Sequence, residues 1–331
     1  MIRVGVDIGG TFTDATVFDD TSKQVTFGKS LTTPENLVRG VLAAIDETGA
    51  GVDDASVIIH GSTIAINALL ERKGARTALL TTLGFRDVYE IGRINRPDAF
   101  NLFFKKHRPL VPRELIFEVE ERMQADGSAW IPLREDAARS SAALLEGKAI
   151  ESVAIVFLHS YRNPQHEVQM RETLLAMRPD LFVSTSAEIS REYREYERTS
   201  TAVANAFIGP KVSRYLGDLD AALRERAFGG ALMIMQSSGG LYDIETARRQ
   251  CIHMLESGPA GGVVGASALC ETLAIDKAIC FDMGGTTAKA AVVQRGVVGL
   301  SPDYFIGSYN DGLAIRIPVV DIKEVGTGGG S

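Results

Sequence analysis

A chain of 331 residues is long enough for two or three domains, and its 45% apolar content allows a buried core of ordinary size. Its 42 acidic and 35 basic residues give a formal net charge of −7, which excludes a broad nucleic-acid surface because such a surface needs a basic face. No run of about 18 apolar residues occurs, so no membrane-spanning helix is predicted. The N-terminus enters an apolar strand at once and has no signal-peptide pattern, so we expect a cytoplasmic protein with reduced cysteines.

The first predicted elements are two strands joined by a tight turn, in the segment VGVDIGGTFTDATV at residues 4–17. Apolar runs of this kind are typical of strands, and the two glycines between them are typical of a turn. The pattern returns as FDMGGTTAKAAV at residues 281–292, with the aspartate, both glycines and the first threonine in register 275 positions later. The sequence therefore predicts a duplicated β-hairpin.

A Gly-Gly-Thr turn suits phosphate, because glycine lets the backbone approach a ligand and the threonine hydroxyl adds a hydrogen-bond donor. The aspartate that ends the first strand repels phosphate, but it can hold the water ligands of a Mg²⁺ ion that bridges phosphates. A plain hairpin turn is the alternative for either copy alone. Two registered copies, each with an aspartate, favour a pair of loops that grip Mg-polyphosphate from both sides of a cleft.

Between the two copies, strands and helices alternate, which predicts an α/β fold with mixed sheets in a bilobed protein. Residues 55–80 are expected to form a strand, a helix capped by Ser62 or Thr63 and ended by Gly74, and a second strand. The polar residues 85–135 are expected to be irregular. The later expected elements are a strand in SVAIVFL, a helix in HEVQMRETLLAM, a strand in LFVSTS, a long helix over 192–223 that is open to a break near Gly209-Pro210, a strand in ALMIMQ, and a glycine-rich turn before a helix in LESGPAGGVVGASAL.

Eight segments in chain order carry a resemblance to a known family: DIGGTFTD, HGSTIAINALLERKG, EIGRINRP, EYERTSTAVANAFIGP, MQSSGGL, ESGPAGGVVGA, FDMGGTTAK and VGTGGGS. Together they resemble the hydantoinase A / 5-oxoprolinase family, which also includes the matching subunits of acetone and acetophenone carboxylases. The resemblance implies an α/β, actin-like ATPase fold with two ribonuclease-H-like lobes and duplicated β-hairpin phosphate loops. Family members are typically longer, so the chain is expected to correspond to an N-terminal half. The implied division is a first lobe with an α/β insertion at 1–200 and the incomplete start of a second lobe at 201–331.

The resemblance also implies which residues act. Asp7, Asp14, Asp282 and Lys289 are the implied catalytic residues, with Asp7 and Asp282 holding Mg²⁺ through water. The implied ATP-binding residues are Gly9, Gly10, Thr11 and Thr13 in the first copy and Gly284, Gly285, Thr286 and Thr287 in the second.

The implied activity is ATP-dependent phosphorylation of a carbonyl oxygen in a cyclic amide or ureide, such as hydantoin, 5-oxoproline or a lactam. A hydantoinase-B-like subunit or domain is the implied partner, so a hetero-oligomer is expected. Three alternatives stay open: a ketone carboxylase subunit, a sugar or carboxylate kinase on the same fold, and a non-enzymatic nucleotide switch.

Three further side chains are candidates for substrate binding. His60, between a strand and a helix N-terminus, suits an anion or a carbonyl, and it suits a structural hydrogen bond as well. Arg93 and Arg96 in EIGRINRP can bind substrate oxygens bidentately, and ordinary loop ion pairs are the alternative.

Other charged residues also have two interpretations. Lys289 either neutralises phosphate charge or is a solvated lysine at a strand end. Asp14 either orients the nucleophile or the metal, or merely stabilises the turn. The run REYREYER at 191–198 is expected to be a solvated helix face.

Overall fold

The computed structural model of the chain describes residues 1–93, 100–104, 108–283, 288–307 and 312–326. In chain order the strands are β1 (Ile2–Ile8), β2 (Phe12–Asp19), β3 (Val25–Leu31), β4 (Ala55–Ser62), β5 (Thr77–Thr82), β6 (Ile116–Val119), β7 (Arg122–Met123), β8 (Ala129–Ile131), β9 (Ser152–Val156), β10 (Phe182–Thr185), β11 (Ala231–Met235), β12 (Leu241–Asp243), β13 (Lys277–Met283), β14 (Ala288–Gln294), β15 (Val297–Val298), β16 (Leu300–Ser301), β17 (Tyr304–Ile306), β18 (Leu313–Ile315), β19 (Val319–Val320) and β20 (Ile322–Val325). The helices are α1 (Leu37–Asp46), α2 (Ile64–Leu70), α3 (Val88–Ile91), α4 (Glu135–Ala143), α5 (Gln165–Met177), α6 (Ser186–Ile189), α7 (Glu195–Glu225), α8 (Ile244–Arg249) and α9 (Ser257–Thr272). None of the helices in these ranges combines the length and the apolar character that crossing a bilayer requires.

The chain divides into two compact units that are discontinuous in sequence. Unit 1 comprises residues 1–67, 212–302 and 318–331, and unit 2 comprises residues 68–211 and 303–317. Parallel and antiparallel pairs both occur, so the expected α/β fold with mixed sheets is confirmed. The division at residues 200 and 201 remains a prediction.

The larger sheet of unit 1 has the strand order β12-β11-β4-β1-β2-β3 within the described part of the chain. β1, β2 and β3 form an antiparallel meander, while β4 runs parallel to β1 and β11 runs parallel to β4. On β1 the buried side chains Val4, Val6 and Ile8 alternate with more exposed ones, as the two-residue period of a strand requires. The hairpin predicted around the first Gly-Gly-Thr is therefore present as β1 and β2.

Helix α1 covers the meander and begins at a side-chain cap. The Asn36 side chain accepts a hydrogen bond from the Arg39 N–H, which satisfies one of the free donors of the first turn. The helix meets β3 at Gly28, where a Cβ atom would lie 2.0 Å from the backbone oxygen of Ala44. A glycine is thus required at this point for the helix to lie on the sheet.

The second sheet of unit 1 is built around β14, which pairs with β13, β15 and β20. Helix α9 packs on one face and forms a small core with it, which contains Val263, Cys270, Ala291 and Val293. All three cysteines of the chain are free, as the sequence predicted.

The glycine-rich segment before β13 is helical, so the expected turn in LESGPAGG is wrong. α9 already begins at Ser257 and includes Gly258, Gly261 and Gly262. Pro259 is tolerated because the N–H groups of a first helical turn have no partner within the helix.

Unit 2 contains a sheet with the order β10-β9-β5-β6 among the described residues, and every neighbouring pair is parallel. β5 and β9 are buried along their whole length, which is typical of a parallel sheet with both faces covered. The expectation of irregular structure over 85–135 is wrong for part of this range, since IFEV forms β6 at the sheet edge and β7 pairs with β8.

Two glycines of unit 2 allow close packing between segments that are distant in the sequence. α2 ends at Leu70, so Gly74 is not its cap; a Cβ atom at Gly74 would lie 2.3 Å from the ring of Phe207. α7 continues through Pro210 without a break, although the sequence allowed one near Gly209-Pro210. At Gly209 a Cβ atom would lie 2.2 Å from the ring of Phe182, so this glycine allows close packing on the helix.

The charge run at 191–198 is only partly solvated, which corrects the sequence prediction. Tyr196 and Arg198 lie in the first turn of α7 and are buried. The Arg198 Nη2 donates a hydrogen bond of 2.6 Å to the backbone oxygen of Phe157, just after β9. The helix therefore turns part of this run into the core of unit 2.

We expect Gly28→Ala to destabilise the protein by about 1–3 kcal/mol, because the added methyl group must displace α1 from β3. Gly229→Ala is the matched control, since nothing lies within 4 Å of a Cβ atom there. Its expected effect is within about 0.5 kcal/mol. Calorimetric melting of both variants measures the difference, and equal melting temperatures would contradict the packing role of Gly28.

Candidate functional site

Equivalent strand ends carry the charged residues of the candidate site. Asp7 on β1 lies opposite Asp14 on β2, and Asp282 on β13 lies opposite Lys289 on β14. The two copies of the sequence pattern thus have the same cross-strand register, and a lysine in the second copy replaces the second aspartate of the first. Opposed residues of a strand pair project from the same face, so each hairpin presents a pair of charged side chains.

All four side chains line one pocket of unit 1, with a volume of about 600 Å³. This volume is within the usual range for small-molecule sites, roughly 300–1,000 Å³. The structure therefore brings together the charged residues of the two hairpins. The pocket is also lined by Thr16, Ile59, Gly61, Met235, Ser257, Gly258, Gly262 and Cys280.

Asp7 is the most perturbed acid of this pocket. Its side chain is accessible from the pocket, yet surrounding protein atoms displace enough water to raise the pKa of the carboxyl to about 6. The negative charges of Asp14 and Asp282 raise this pKa further, and the positive charge of Lys289 lowers it. The pocket thus concentrates negative charge at the ends of two hairpins.

Lys289 is anchored and is not the solvated lysine of the alternative interpretation. Its Nζ lies 2.7 Å from a carboxylate oxygen of Glu256 and 3.7 Å from one of Glu324. The Lys289 side chain is 14% exposed and that of Glu256 is 6% exposed. Because both groups are largely removed from water, the ammonium is held in one place on the pocket wall.

Asp14 pairs with a neighbouring strand. Its carboxylate lies 2.6 Å from the Nζ of Lys29 on β3, and both side chains are more than half exposed. This contact lies outside the turn, so the geometry does not support a role for Asp14 in stabilising the turn.

The start of α9 forms the wall beside Asp7. A Cβ atom at Gly258 would lie 2.4 Å from Asp7 Oδ1, and one at Gly61 would lie 3.2 Å from the same oxygen. The Ser257 hydroxyl accepts a hydrogen bond from the Ser62 N–H and donates one to the Ser62 oxygen, at 2.9 and 3.0 Å. These contacts join the helix to the end of β4 next to the carboxylate.

The first Gly-Gly-Thr forms the turn between β1 and β2. The Gly9 N–H donates to the Phe12 oxygen at 2.9 Å, while Gly10 and Thr11 are exposed. Thr13 is fully buried and its hydroxyl lies 3.1 Å from that of Thr32, so the geometry does not place it in the pocket. The corresponding second-copy residues Gly284, Gly285, Thr286 and Thr287 lie outside the described residues.

Of the three predicted substrate residues, neither His60 nor Arg93 lines this pocket. His60 is fully buried in β4, and its Nε2 lies 2.9 Å from the hydroxyl of Tyr215. Burial lowers the pKa of His60 to about 4, so the ring is neutral and structural at physiological pH. Arg93 forms a bidentate ion pair with Glu197 in unit 2, and Arg96 lies outside the described residues.

Magnesium fits the pocket only as a hydrated ion. In the part of the chain that the structure describes, no group of three or more His, Cys, Asp or Glu is arranged to hold a metal. Mg²⁺ usually keeps several waters and needs only one or two carboxylates, which Asp7 and Asp282 can supply. Desolvation and the negative charges of Asp14 and Asp282 raise the pKa of Asp7, and a bound cation would favour the charged form of this carboxyl.

Glu256, Ser257 and Gly258 are site residues that the sequence prediction missed. The sequence feature that could have indicated them is ESGPAGG, because its glycines recur in a segment that forms a helix. Glycine costs about 1 kcal/mol relative to alanine inside a helix, so its repeated use indicates a close approach to another group.

Two family matches cover most of the chain. Residues 3–177 match the hydantoinase/oxoprolinase N-terminal region, and residues 198–331 match hydantoinase/oxoprolinase. The chain belongs to the hydantoinase/oxoprolinase family. The resemblance drawn from the sequence motifs is thereby confirmed.

Curated relatives align with nearly the whole length of this chain. An uncharacterized protein of Methanocaldococcus jannaschii is 41% identical over 340 residues, a match that covers 99% of this chain and 50% of the relative. Caprolactamase subunit alpha of Pseudomonas jessenii is 33% identical over 339 residues, with 99% and 48% covered. The 5-oxoprolinase of Saccharomyces cerevisiae is 32% identical over 378 residues, with 100% and 28% covered. The chain thus spans half the length of these relatives or less.

Solved structures share the fold of this family member. The nucleotide-free structure of an acetone carboxylase, from work on ATP-dependent acetone carboxylation, has a TM-score of 0.86 at 28% identity, covering 98% of this chain and 48% of that one. The ATP-dependent caprolactamase of Pseudomonas jessenii has a TM-score of 0.85 at 33% identity, covering 99% and 48%.

We expect Asp14→Asn to lower the pKa of Asp7, because it removes a like charge, and Lys289→Gln to raise it, because it removes an opposite charge. Carboxyl-carbon NMR titration without added metal measures both shifts. Asp20→Asn, at the other end of the hairpin beside Arg3, is the control and leaves the pKa unchanged. Shifts of the same sign in the two pocket variants would contradict the electrostatic description.

Proposed function

We propose that the chain takes part in ATP-dependent activation of the carbonyl of a cyclic amide or ureide, such as a lactam, 5-oxoproline or hydantoin, for hydrolysis. The observation that carries the proposal is the convergence of Asp7, Asp282 and Lys289 from two related hairpins on one pocket. The names of two relatives, an ATP-dependent caprolactamase and a 5-oxoprolinase, support a lactam as the substrate class.

An actin-like ATPase architecture with ribonuclease-H-like lobes is part of this proposal. It is supported by the β1-β2-β3 meander with β4 and β11 added in parallel, and by the repeat of the hairpin at β13 and β14. Unit 2, which enters between β4 and β11, corresponds to the proposed insertion in the first lobe over 1–200. The second lobe, predicted at 201–331, would in this arrangement begin only after β12, because β11 and β12 belong to the same sheet as β1 and β4.

The pocket residues suit phosphoryl transfer to an amide oxygen. An amide resists water because its nitrogen donates electrons into the carbonyl, and bound Mg-ATP supplies the phosphoryl group that makes the oxygen a leaving group. Asp7 and Asp282 would hold the metal through water, and Asp14 adds negative charge beside them. The Lys289 ammonium, kept in place by Glu256, offers a positive charge to phosphate oxygens. Loss of one such fixed donor typically lowers a rate by about 10²–10³.

Ketone carboxylation is a second candidate, which the TM-score of 0.86 with an acetone carboxylase favours. It would also use phosphoryl transfer from ATP, in this case to the enolate oxygen that a ketone forms when it loses an α-proton to a base, and Lys289 would offer its positive charge to the phosphate in the same way. Two relatives are named as subunits, caprolactamase alpha and acetone carboxylase beta, so we also propose a partner subunit of the hydantoinase-B type in a hetero-oligomer.

ADP formation from Mg-ATP by the full 331-residue chain tests the proposal. The assay compares caprolactam, 5-oxoproline, hydantoin and acetone with bicarbonate. We expect one cyclic amide to stimulate ADP formation and Asp282→Asn to lower the stimulated rate at least tenfold, since the Mg²⁺ ion that would neutralise the phosphate charge loses one of its two carboxylates. Asp20→Asn serves as the control with an unchanged rate.

Each other outcome decides against part of the proposal. Stimulation by acetone with bicarbonate alone would replace hydrolysis with carboxylation. Equal rates for Asp282→Asn and the unaltered chain, or no ADP formation with any compound, would overturn the proposed role of this chain.

Gly258→Ala should weaken Mg-ATP binding at least tenfold, because the new methyl group would lie 2.4 Å from Asp7 Oδ1 and displace the carboxylate. Gly262→Ala is a matched control on the same helix, since it also lines the pocket but has nothing within 4 Å of a Cβ atom. Calorimetric titration with a non-hydrolysable Mg-ATP analogue measures both. Equal affinities for the two variants would argue against Asp7 as a ligand of the hydrated metal.

A further inference from the structure

A charged side chain in the interior of unit 2 lacks part of its hydrogen-bond partners. Arg198 of α7 is 3% exposed, and its Nη2 donates to the backbone oxygen of Phe157. Its Nε and Nη1 are buried as well, yet neither has an acceptor among the described residues. A buried donor without an acceptor is costly, above all when it is charged, so this group points to a ligand or an ordered water that supplies the acceptor.

This guanidinium lies where parallel sheets commonly bind ligands. In the order β10-β9-β5-β6, the chain leaves β5 for β6 on one side and continues to β9 and β10 on the other. Ligands of open α/β sheets bind outside the carboxyl ends of the strands at such a reversal, which here lies between β5 and β9. The Leu158 N–H, just after β9, donates to the Thr82 hydroxyl at the end of β5, so the two strand ends are joined beside the residue that Arg198 contacts.

The chain after β9 has the backbone strain that is typical of binding sites. We call residues 157–162 the β9 turn. Within it, His159 has a φ of 55°, a left-handed conformation that residues other than glycine rarely adopt. Its Nδ1 lies 3.2 Å from the Tyr161 hydroxyl, and the centre of the Tyr161 ring lies 5.5 Å from the guanidinium carbon of Arg198. The strained turn therefore brings two partly exposed polar side chains next to a buried cation.

A buried acid of the same region does not supply the missing acceptors. Glu167 is fully buried, and its carboxylate already accepts three hydrogen bonds of 2.6–2.9 Å. The donors are the N–H groups of Phe157 and Ala187 and the hydroxyl of Ser186. Burial lowers the pKa of Arg198, and the negative charges of Glu167 and Glu195 only partly oppose this shift. The guanidinium thus lacks a negative charge in direct contact.

Positive charge prevails at the β9 turn itself. Burial lowers the pKa of His159, and the positive charges of Arg122 and Arg198 lower it further against the opposing charge of Glu195. The imidazole is therefore neutral at neutral pH and can donate or accept a hydrogen bond. A guanidinium with free N–H groups, a neutral imidazole and a phenol together suit an anion with planar oxygens.

We propose that the β9 turn and Arg198 form a binding site for a small carboxylate anion. The two carboxylate oxygens would accept from the Arg198 N–H groups that lack partners, with His159 and Tyr161 on the solvent side. One buried positive charge matches a carboxylate better than a phosphate, whose second negative charge would have no partner. Rotation of the partly exposed Tyr161 ring would admit such a ligand. The site contains no residue of the unit 1 pocket, so it is additional to the proposed carbonyl activation.

The test follows the Nε–H signal of Arg198 in ¹⁵N NMR spectra of the full 331-residue chain. Through-bond correlation with the Arg198 backbone identifies this signal. We expect acetate and 5-oxoproline to shift it with saturation, because each supplies a carboxylate. The uncharged lactam 2-pyrrolidinone should leave it unchanged. Phosphate and chloride at equal ionic strength should need at least tenfold higher concentrations.

Two variants test the site residues separately by calorimetric titration with acetate. Arg198→Lys should abolish saturable binding, because the planar fork is lost. His159→Gly should weaken binding at least fivefold, because the imidazole is lost while glycine adopts the left-handed backbone readily. Ala149→Gly is the matched control with unchanged affinity, since Ala149 is exposed in unit 2 and has a φ of 51°.

Melting temperatures show which variants are folded, and His159→Gly together with the unaltered chain decides the question if Arg198→Lys does not fold. An Arg198 signal that no carboxylate shifts, or that chloride shifts at the same concentration, would assign the free N–H groups to buried water and overturn the proposal. So would an equal response to 2-pyrrolidinone, a stronger response to phosphate than to acetate, or equal affinities of His159→Gly and Ala149→Gly. No nucleotide is present, so a failure here is distinguishable from a failure of carbonyl activation.

Discussion

Charge balance in the pocket of unit 1 is the constraint on which the site depends. Asp7, Asp14 and Asp282 face one space, where Lys29 pairs with Asp14 and Lys289 pairs with Glu256 on the pocket wall. Desolvation by the surrounding protein raises the pKa of Asp7, and the negative charges of Asp14 and Asp282 raise it further. Acids with a raised pKa in a cleft are typical of functional sites, and a bound cation would offset the repulsion among these three carboxylates.

Two glycines allow the backbone to lie close to the Asp7 carboxylate and so define its position. Gly258 and Gly61 have no side chains, so the first turn of α9 and the end of β4 can both lie against the Asp7 carboxylate. The same helix leads directly into β13, which carries Asp282. One helix therefore places the second hairpin relative to the first, and any shift of its first turn changes the distances among the pocket carboxylates.

Local sequence patterns correctly predicted both hairpins. They did not predict which side chains lie in the pocket, because this depends on contacts between segments that are distant in the sequence. The repeated Asp-Gly-Gly-Thr pattern and its apolar flanks were sufficient for both hairpins, because turn chemistry and strand period are local properties. The face that a side chain occupies is not local, since a shift of one residue reverses it. Thr13 and His60 accordingly lie in the interior with Thr32 and Tyr215 as partners, although their motifs suggested a ligand site.

One reversal of charge between the two hairpins, Asp14 in the first and Lys289 in the second, gives the pocket a direction. With two aspartates the first hairpin can only attract cations, whereas Asp282 and Lys289 in the second offer one charge of each sign. A magnesium polyphosphate has the complementary pattern, with a cation at one side and anionic oxygens at the other. The lysine of the second copy would thus let the pocket orient the proposed ligand, and the buried Glu256 holds that lysine in an ion pair.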